Sequence, residues 1–256
     1  RIRFSRYKEN VITKGRIREG RAMMKKHAAL LSRIEARYGV SPSYIVALWG
    51  METSFGKNTG GFNIIRSLAT LAWEGRRGAF FRQELLDALK ILDSGHISAQ
   101  QMRGSWAGAM GQNQFMPSSF HKFAVDFNRD GRRDIWMTQG DVFASTANYL
   151  KSSGWRPGWR WGRSVVLPKG CCTKEIKDRT RQTLAQWKAR GLRFAGGGEI
   201  PEDTKNTAWL AAPDGGKGPV WLVYGNYDVL MRWNRSTYFA TSVGLLADAI
   251  AQEASP

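Results

Sequence analysis

Ile45, Leu48, Trp49 and Glu52 fall at i, i+3, i+4 and i+7, the spacing of one face of an α-helix. Three are apolar and the fourth is a carboxylic acid. A carboxylate carried into apolar surroundings without a partner is costly, and the ordinary response is a raised pKa that keeps it protonated. The negative end of the helix dipole, close by at Gly56, pushes the same way. A carboxylic acid still protonated near neutral pH can donate its proton to a glycosidic oxygen. The bland reading is a structural glutamate, hydrogen-bonded to nearby backbone or paired with an arginine, and periodicity alone favours it.

A second chemical signal lies in Gly104-Ser105-Trp106-Ala107-Gly108-Ala109-Met110-Gly111 and the residues after it. Glycines let a loop fold tightly and bring backbone close to a ligand. Ser105, Gln112 and Gln114 offer hydroxyl and amide groups suited to an amino sugar, and Phe115 and Met116 add an apolar wall. A glycine-rich turn supporting a helix that starts near Ser118 explains the same residues equally well. A third signal runs from Asp126 to Asp134. Asp126, Asn128, Asp130 and Asp134 stand at positions 1, 3, 5 and 9 of a loop with Gly131 at position 6, the front half of a calcium loop. Position 12 is Met137, not a glutamate, and Arg129, Arg132 and Arg133 repel a dication. A turn held by aspartate side chains remains open beside a calcium site.

The elements that must position these residues are mostly helical. The spacing predicts one helix over 16–38 closed by Gly39, and another from Ser41-Pro42 to about Thr53, with proline at the first helical position. Further helices are expected at 80–94, 139–153, 174–190 and 236–252. Short strands are expected within 155–170 and at 207–212 and 219–224, the last two joined by Pro213-Asp214-Gly215-Gly216. The organisation expected is a helical body and catalytic core over 1–154, a small β-containing insertion over 155–227, and a segment over 228–256 that returns to the body. Trp155, Trp159 and Trp161 are candidates for a groove lining where the insertion meets the body, while Trp49 reads as core.

Composition narrows the classes. Of 256 residues, 42% are hydrophobic and 12% aromatic, which excludes wholesale disorder. No apolar run approaches bilayer length; the nearest, Val243 to Ala251, contains Asp248. The net charge of +18 sits in two blocks: twelve Lys/Arg against three acids in 1–40, and twelve against two in 151–194. Each block alone reads as a solvated helical face, but the pair points to an anionic polymer or surface. Cys171 and Cys172 are adjacent, a Cα spacing below the usual disulfide range, so neither a disulfide scaffold nor a cysteine-rich zinc site is expected. His27, His96 and His121 do not cluster, which removes support for a histidine metal site or a Ser-His-Asp triad. The chain opens at Arg1 with no signal-like segment, so a mature form is expected, with any membrane anchor in a segment preceding Arg1.

Trp49-Gly50-Met51-Glu52-Thr53-Ser54-Phe55-Gly56 resembles the catalytic-glutamate segment of the lytic murein transglycosylase B family. The resemblance continues through Ser67-Leu68-Ala69-Thr70-Leu71-Ala72, Arg76-Arg77, the run from Gly104 to Ser119, Ala147-Asn148-Tyr149 and Asn234-Arg235-Ser236-Thr237-Tyr238. Several long motifs in order over roughly 40–240 are far more specific than one short pattern. The resemblance implies an α+β fold, a mainly helical lysozyme-like body with a small antiparallel β insertion, and Glu52 as the catalytic acid. It further implies that Ser105, Gln114, Phe115, Met116, Tyr149 and Asn234 line the sugar groove. Two positions depart from the family pattern. Tyr238-Phe239 stands where a tyrosine follows the Asn-x-Ser-Thr motif, and Phe80 stands where an aromatic with a hydroxyl is common; both Phe80 and Tyr238 are taken as substrate-binding candidates. The family's calcium loop closes on a later aspartate, here Asp141, one residue further away than expected. The candidate metal set is then Asp126, Asn128, Asp130, Arg132 and Asp141.

The activity implied is non-hydrolytic cleavage between N-acetylmuramic acid and N-acetylglucosamine in peptidoglycan, with 1,6-anhydromuramoyl ends and no cofactor in the bond breaking. Most glycosidases use two carboxylates; here the 2-acetamido group and the C6 hydroxyl of the sugar stand in for the second. The partners implied are peptidoglycan glycan strands, whose stem peptides carry carboxylates, with an anionic membrane surface also suiting the charge. No nucleic acid and no second copy of the chain are expected. The location implied is the bacterial periplasm or cell envelope. The rivals are a lysozyme-type hydrolase and a non-catalytic cell-wall binding module.

Overall fold

Left-handed residues, prolines and side-chain caps set the helix ends in this chain. In the computed structural model, which describes residues 2–252, the helices through Ser152 are α1 (Phe4–Val11), α2 (Lys14–Lys26), α3 (Ala28–Tyr38), α4 (Pro42–Thr53), α5 (Ile64–Glu74), α6 (Gly78–Asp93), α7 (Pro117–Phe123) and α8 (Gln139–Ser152). Two short strands, β1 (Phe62–Asn63) and β2 (Arg103–Gly104), pair antiparallel with Phe62 opposite Gly104. From Ser153 onward follow β3 (Gly162–Val166), α9 (Thr173–Asp178), β4 (Gln182–Thr183), α10 (Leu184–Ala189), β5 (Arg193–Phe194), β6 (Thr207–Ala211), β7 (Val220–Val223), α11 (Gly225–Trp233) and α12 (Thr237–Ala251).

Two expected helices are broken. The 16–38 segment divides at His27, whose φ of −107° and ψ of 17° leave the helical range, so α2 and α3 are separate. The 174–190 segment stops where Arg179 takes a left-handed φ of 51°. It restarts at Thr183, whose side chain accepts from the Gln186 N–H while Gln186 reaches back, a capping box. Periodicity survives such interruptions, so it does not reveal them.

The chain divides into two compact units. One is residues 18–152; the other joins the N-terminal segment through Ile17 to the chain from Ser153 onward. In the first, α4 is buried from Ser43 through Gly50, with α3 and α8 packed on it. Its N-terminus follows Ser41 with Pro42 at the first position, as the sequence indicates. The face expected to be apolar is thus part of a helix buried almost all round, and Glu52 emerges half-buried on its last turn.

In the second unit the five strands run antiparallel in the order β4-β6-β7-β3-β5. Trp187, Leu210 and Leu222 lie in its core. The tryptophan cluster expected to line a groove is largely structural. Trp161 is buried, its ring lies near-parallel to Tyr227 at 5.9 Å, and its Nε1 donates to Asp248 Oδ2 at 2.9 Å. A side chain on Gly244 would run into that ring. Trp155 is also buried, and Trp159 is 36% exposed. In the 228–256 segment, α12 packs against α11 and against α1, which belongs to the 1–154 range but to this same unit. Gly244 of α12 lies against the Trp161 ring, Thr241 shares a hydrogen bond with the Tyr227 hydroxyl, and Tyr238 meets Phe4 edge-on at 5.3 Å. Cys171 and Cys172 are bonded to one another at a Cα separation of 3.7 Å, a link between chain neighbours that ties no distant segments together.

Burial holds the Asp248 carboxyl above the usual carboxylate range, opposed by the Trp161 N–H and the charge of Arg160. In the unfolded chain the group ionises at its ordinary, lower pH. The folded state therefore keeps a proton that the unfolded state has released, and stability falls as pH rises through that window. Asp248→Asn keeps an acceptor for Trp161 and removes this loss. Urea unfolding at a series of pH values between about 4 and 7 should show a smaller fall in stability for the variant than for the wild type.

Candidate active site

The end of α4 is built by backbone that few side chains tolerate. Ser54, Phe55 and Gly56 take consecutive left-handed φ values of 49°, 61° and 80°. The Phe55 N–H reaches back to the Trp49 carbonyl at 3.3 Å and the Ser54 N–H to Gly50 at 3.1 Å. This turn folds the Phe55 ring beneath the helix, where it meets Trp49 edge-on at 5.6 Å. Gly50 makes room for it: a Cβ there would lie 2.7 Å from the ring. Glu52 is thereby held on a last turn fixed from below, half-buried, with its own interactions to the protein.

Gln112 fastens the glycine-rich segment to this helix. Its Oε1 accepts from Trp49 Nε1 at 2.8 Å and its Nε2 donates to the Trp136 carbonyl at 2.7 Å. Thr53 Oγ1 donates to the Gln112 carbonyl at 3.1 Å and accepts from the Gly56 N–H at the same distance. Gln112, read from the sequence as a sugar-facing amide, is therefore buried and committed to the framework. The glycines also serve the protein: Gly104 approaches the Ala109 carbonyl, Gly108 packs on Leu68, and Gly111 lies against Ile135. These close approaches are to other parts of the protein.

Four candidates do stand together on this segment. Ser105 is half-buried, and its Oγ accepts from the Ala109 N–H at 3.0 Å, leaving the hydroxyl proton to donate. Gln114, at a left-handed φ of 53°, donates Nε2 to the Thr59 and Gly111 carbonyls at 3.0 and 2.9 Å. Both donations are inward, so its Oε1 remains an acceptor without a donor among the described residues. Phe115 is buried, with its ring 5.9 Å from Tyr149, and Tyr149 meets Phe123 at 4.5 Å. Met116 opens α7, its methyl side facing Gly108. Antiparallel bridges from Met110 to both Gly104 and Phe115 hold this group as one folded ribbon.

Phe80 is exposed on α6, with the Arg77 guanidinium 4.3 Å from the centre of its ring. Asn234 and Tyr238 belong to the other unit. Asn234 is exposed, with Oδ1 accepting from the Ser236 N–H at 3.1 Å. The Tyr238 hydroxyl lies 3.1 Å from both the Ile2 carbonyl and Asp214 Oδ1.

Two further carboxylates are buried in the 18–152 unit, and the sequence reading missed the first. Glu84 accepts from the Ser118 N–H at 2.9 Å and the Ser118 hydroxyl at 2.7 Å, capping α7 from α6. Asp141 is fully buried; its oxygens accept from the Phe127 and Asp134 N–H groups, each at 2.8 Å. Burial raises the Asp141 pKa, and the nearby charges of Asp126 and Asp130 add to that against its two backbone donors. The loop is tied by its own side chains. Asp126 accepts from the N–H groups of Arg129, Asp130 and Gly131, Asn128 Nδ2 donates to Asp130 Oδ2, and Asp130 Oδ1 accepts from the Arg132 N–H. Asp134 caps the next turn through Trp136, Met137 and Thr138. Among the described residues no group of three His, Cys, Asp or Glu side chains is arranged to hold a metal. The loop is closed by hydrogen bonds, and Asp141 ties its two ends through the Phe127 and Asp134 N–H groups.

One mainly helical unit carries an acid on the last turn of α4 and ties that helix through Gln112 to a glycine-rich ribbon; the other unit holds a small antiparallel sheet, and together these elements are those of the lysozyme-like fold. The match to the transglycosylase SLT domain model covers residues 1–248. Membrane-bound lytic murein transglycosylase B of Escherichia coli (strain K12) is 33% identical over 253 residues, 96% of this chain and 67% of that protein. Structures of SltB3 from Pseudomonas aeruginosa superpose closely. Its complex with NAG-NAM-pentapeptide gives a TM-score of 0.95 at 44% identity, covering 99% of this chain and 68% of that one. Its complex with NAG-anhNAM-pentapeptide gives 0.94 at 45%, covering 98% and 67%. The Escherichia coli lytic transglycosylase Slt35 in complex with calcium gives 0.85 at 32%, covering 97% and 78%. The chain belongs to the transglycosylase SLT domain family, and it is a lytic transglycosylase.

The support beneath Glu52 is testable without touching the acid. Gly50→Ala places a methyl group against the Phe55 ring. It should cost about 1–3 kcal/mol in urea unfolding through overpacking, and lysis of sacculi should fall with the displaced turn.

Proposed function

We propose that Glu52 is the acid–base group of this enzyme, cutting the β-1,4 bond between N-acetylmuramic acid and N-acetylglucosamine. Glu52 delivers its proton to the bridging oxygen as the bond to the muramoyl C1 breaks. The 2-acetamido oxygen of that sugar shares the positive charge at C1. The Glu52 carboxylate then takes the proton of the C6 hydroxyl as its oxygen bonds to C1, giving a 1,6-anhydro end and restoring the acid. Ser105 and the Gln114 Oε1 supply a donor and an acceptor for the sugar, and Phe115, Met116 and Tyr149 its apolar wall. Roles for Phe80, Asn234 and Tyr238 in sugar binding rest on the family motifs alone.

The observation that carries this reading is the bonding of the unit's other buried acids. Glu84 and Asp141 each have both oxygens committed to structural donors. Neither of them could act as nucleophile or base without abandoning such a bond, whereas a substrate-assisted route needs no second carboxylate. The related complex with NAG-anhNAM-pentapeptide is consistent with an anhydro product. On this reading the enzyme works in the bacterial periplasm or cell envelope, where that polymer lies, and does so as a monomer. Among the described residues no helix is long and apolar enough to cross a membrane, and one relative is named as membrane-bound.

Glu52→Gln should lower lysis of sacculi by a factor of about 10² or more while far-ultraviolet circular dichroism stays unchanged. Wild-type products should be lighter by one water than reducing-end fragments in mass spectrometry. Reducing ends from the intact enzyme would make it a hydrolase, and full lysis by Glu52→Gln would remove the acid from the mechanism.

A structural calcium at the 126–134 loop is a separate, second reading. It is supported by the mutual repulsion of Asp126, Asp130 and Asp141 and by the related structure that contains calcium. On this reading, millimolar calcium raises the melting temperature and Asp130→Asn abolishes the rise. A melting temperature indifferent to calcium would leave the loop to its own hydrogen bonds.

A further inference from the structure

The basic block at 151–194 has no part in the chemistry above, and the second unit shows where some of its charge converges. Two adjoining cavities, of about 920 and 650 Å³, share Arg179 and Arg235 as a common wall. The larger is also lined by Arg3, Tyr7, Asp214 and Tyr238. The smaller adds Arg181, Trp209, Asp228 and Arg232. Five arginines thus face two aspartates, and both aspartates are already engaged. Asp214 Oδ1 accepts from the Phe4 N–H at 2.8 Å and lies 3.1 Å from the Tyr238 hydroxyl. Asp228 takes the Trp209 indole N–H at 3.0 Å and pairs with Arg181 at 2.5 Å.

Arg3, Arg179 and Arg235 have no carboxylate partner among the described residues. Guanidinium groups gathered this way repel one another, and an entering anion relieves that repulsion. Arg179 is set in place in advance. Its backbone is left-handed at φ 51°, and its guanidinium lies 5.3 Å from the centre of the Trp209 ring. The volumes are in the range of about 300–1,000 Å³ that encloses a ligand of many atoms, well beyond a lone inorganic anion. Between the charges stand apolar and aromatic surfaces, Ile2, Tyr7 and Pro213 in one cavity and Trp209 and Met231 in the other. Planar forks matched to carboxylates, separated by apolar patches, fit a short peptide with several free carboxylates and small side chains.

We propose that these cavities bind the carboxylate-bearing stem peptide of peptidoglycan, so that this unit reads the peptide while Glu52 cuts the glycan. The proposal rests on the peptidoglycan reading above and adds the residues that select the peptide, with Arg179 and Arg235 as its central contacts.

The test is calorimetric titration of the full chain with three probes. These are a synthetic five-residue stem peptide with free carboxylates, the same peptide with every carboxylate amidated, and inorganic phosphate. The free-acid peptide should bind, and the amidated one at least ten-fold more weakly. Arg179→Gln and Arg235→Gln should each weaken the free-acid peptide at least ten-fold with unchanged circular dichroism. Arg235→Gln keeps the test decisive if loss of the Trp209 contact unfolds the Arg179 variant. Equal binding of the acid and amidated peptides, no binding of either, or full affinity in folded Arg235→Gln would overturn the proposal. So would phosphate binding as tightly as the peptide, which would mark a general anion site. Anhydro-end release from sacculi by the wild type, measured in parallel, keeps the two readings apart. Glycan cleavage without peptide binding removes the peptide site alone; peptide binding without glycan cleavage removes the function on which it was built.

Discussion

The two ends of one buried amide hold the candidate active site together. Gln112 accepts from the Trp49 indole through Oε1 and donates to the Trp136 carbonyl through Nε2. In a setting without water, each of these bonds would leave an orphaned polar group if lost. The amide therefore fixes the last turn of α4, the glycine-rich ribbon and the segment after the aspartate loop in one register. The constraint extends to backbone. A Cβ on Gly56 would strike the Gln112 carboxamide, and Gly56 closes the left-handed turn that begins at Ser54 and Phe55. Glycine at 50 and 56 is explained by neighbours inside the protein, not by substrate.

The distribution of acids shapes the chemistry as strongly as the placement of Glu52. A buried carboxylate needs donors, and Glu84 and Asp141 find theirs in helix-start and loop N–H groups. Once both oxygens are occupied, such a group is a structural cap. Glu52 differs in standing half-buried on the last turn of a helix otherwise enclosed on all sides. A single acid of this kind suits a reaction in which the sugar's own acetamido and hydroxyl groups do what a second carboxylate does elsewhere.

The positive charge divides between roles. Much of it is solvated helix surface, as on α2, where Lys25 and Lys26 sit in the last turn and complement the helix dipole. The arginines around Trp209 and Tyr238 are different, because the aspartates near them are spent on indole, backbone and hydroxyl partners. Charge left uncompensated around a cavity is a property of the folded unit, invisible in a count of basic residues.

The sequence by itself determined the helix that carries Glu52, its proline start, the strands at 207–211 and 220–223, the final helix and the family, because these depend on local periodicity, caps and uninterrupted motifs. Ser105, Gln114, Phe115 and Met116 were legible together for the same reason: they lie on one short ribbon. What only the tertiary structure decided were the partners of polar side chains. Gln112 and Gln114 are two residues apart and chemically alike, yet one is a buried tie and the other keeps an acceptor open. Trp161 and Trp159 likewise differ in burial by which neighbour each meets, and Glu84 becomes a cap only because α7 starts beside it. The attachment of α12 to the N-terminal helix and the convergence of Arg3, Arg179 and Arg235 join residues far apart in the chain. Spacing along a sequence encodes what a residue can do; long-range packing decides which partners use up that capacity first.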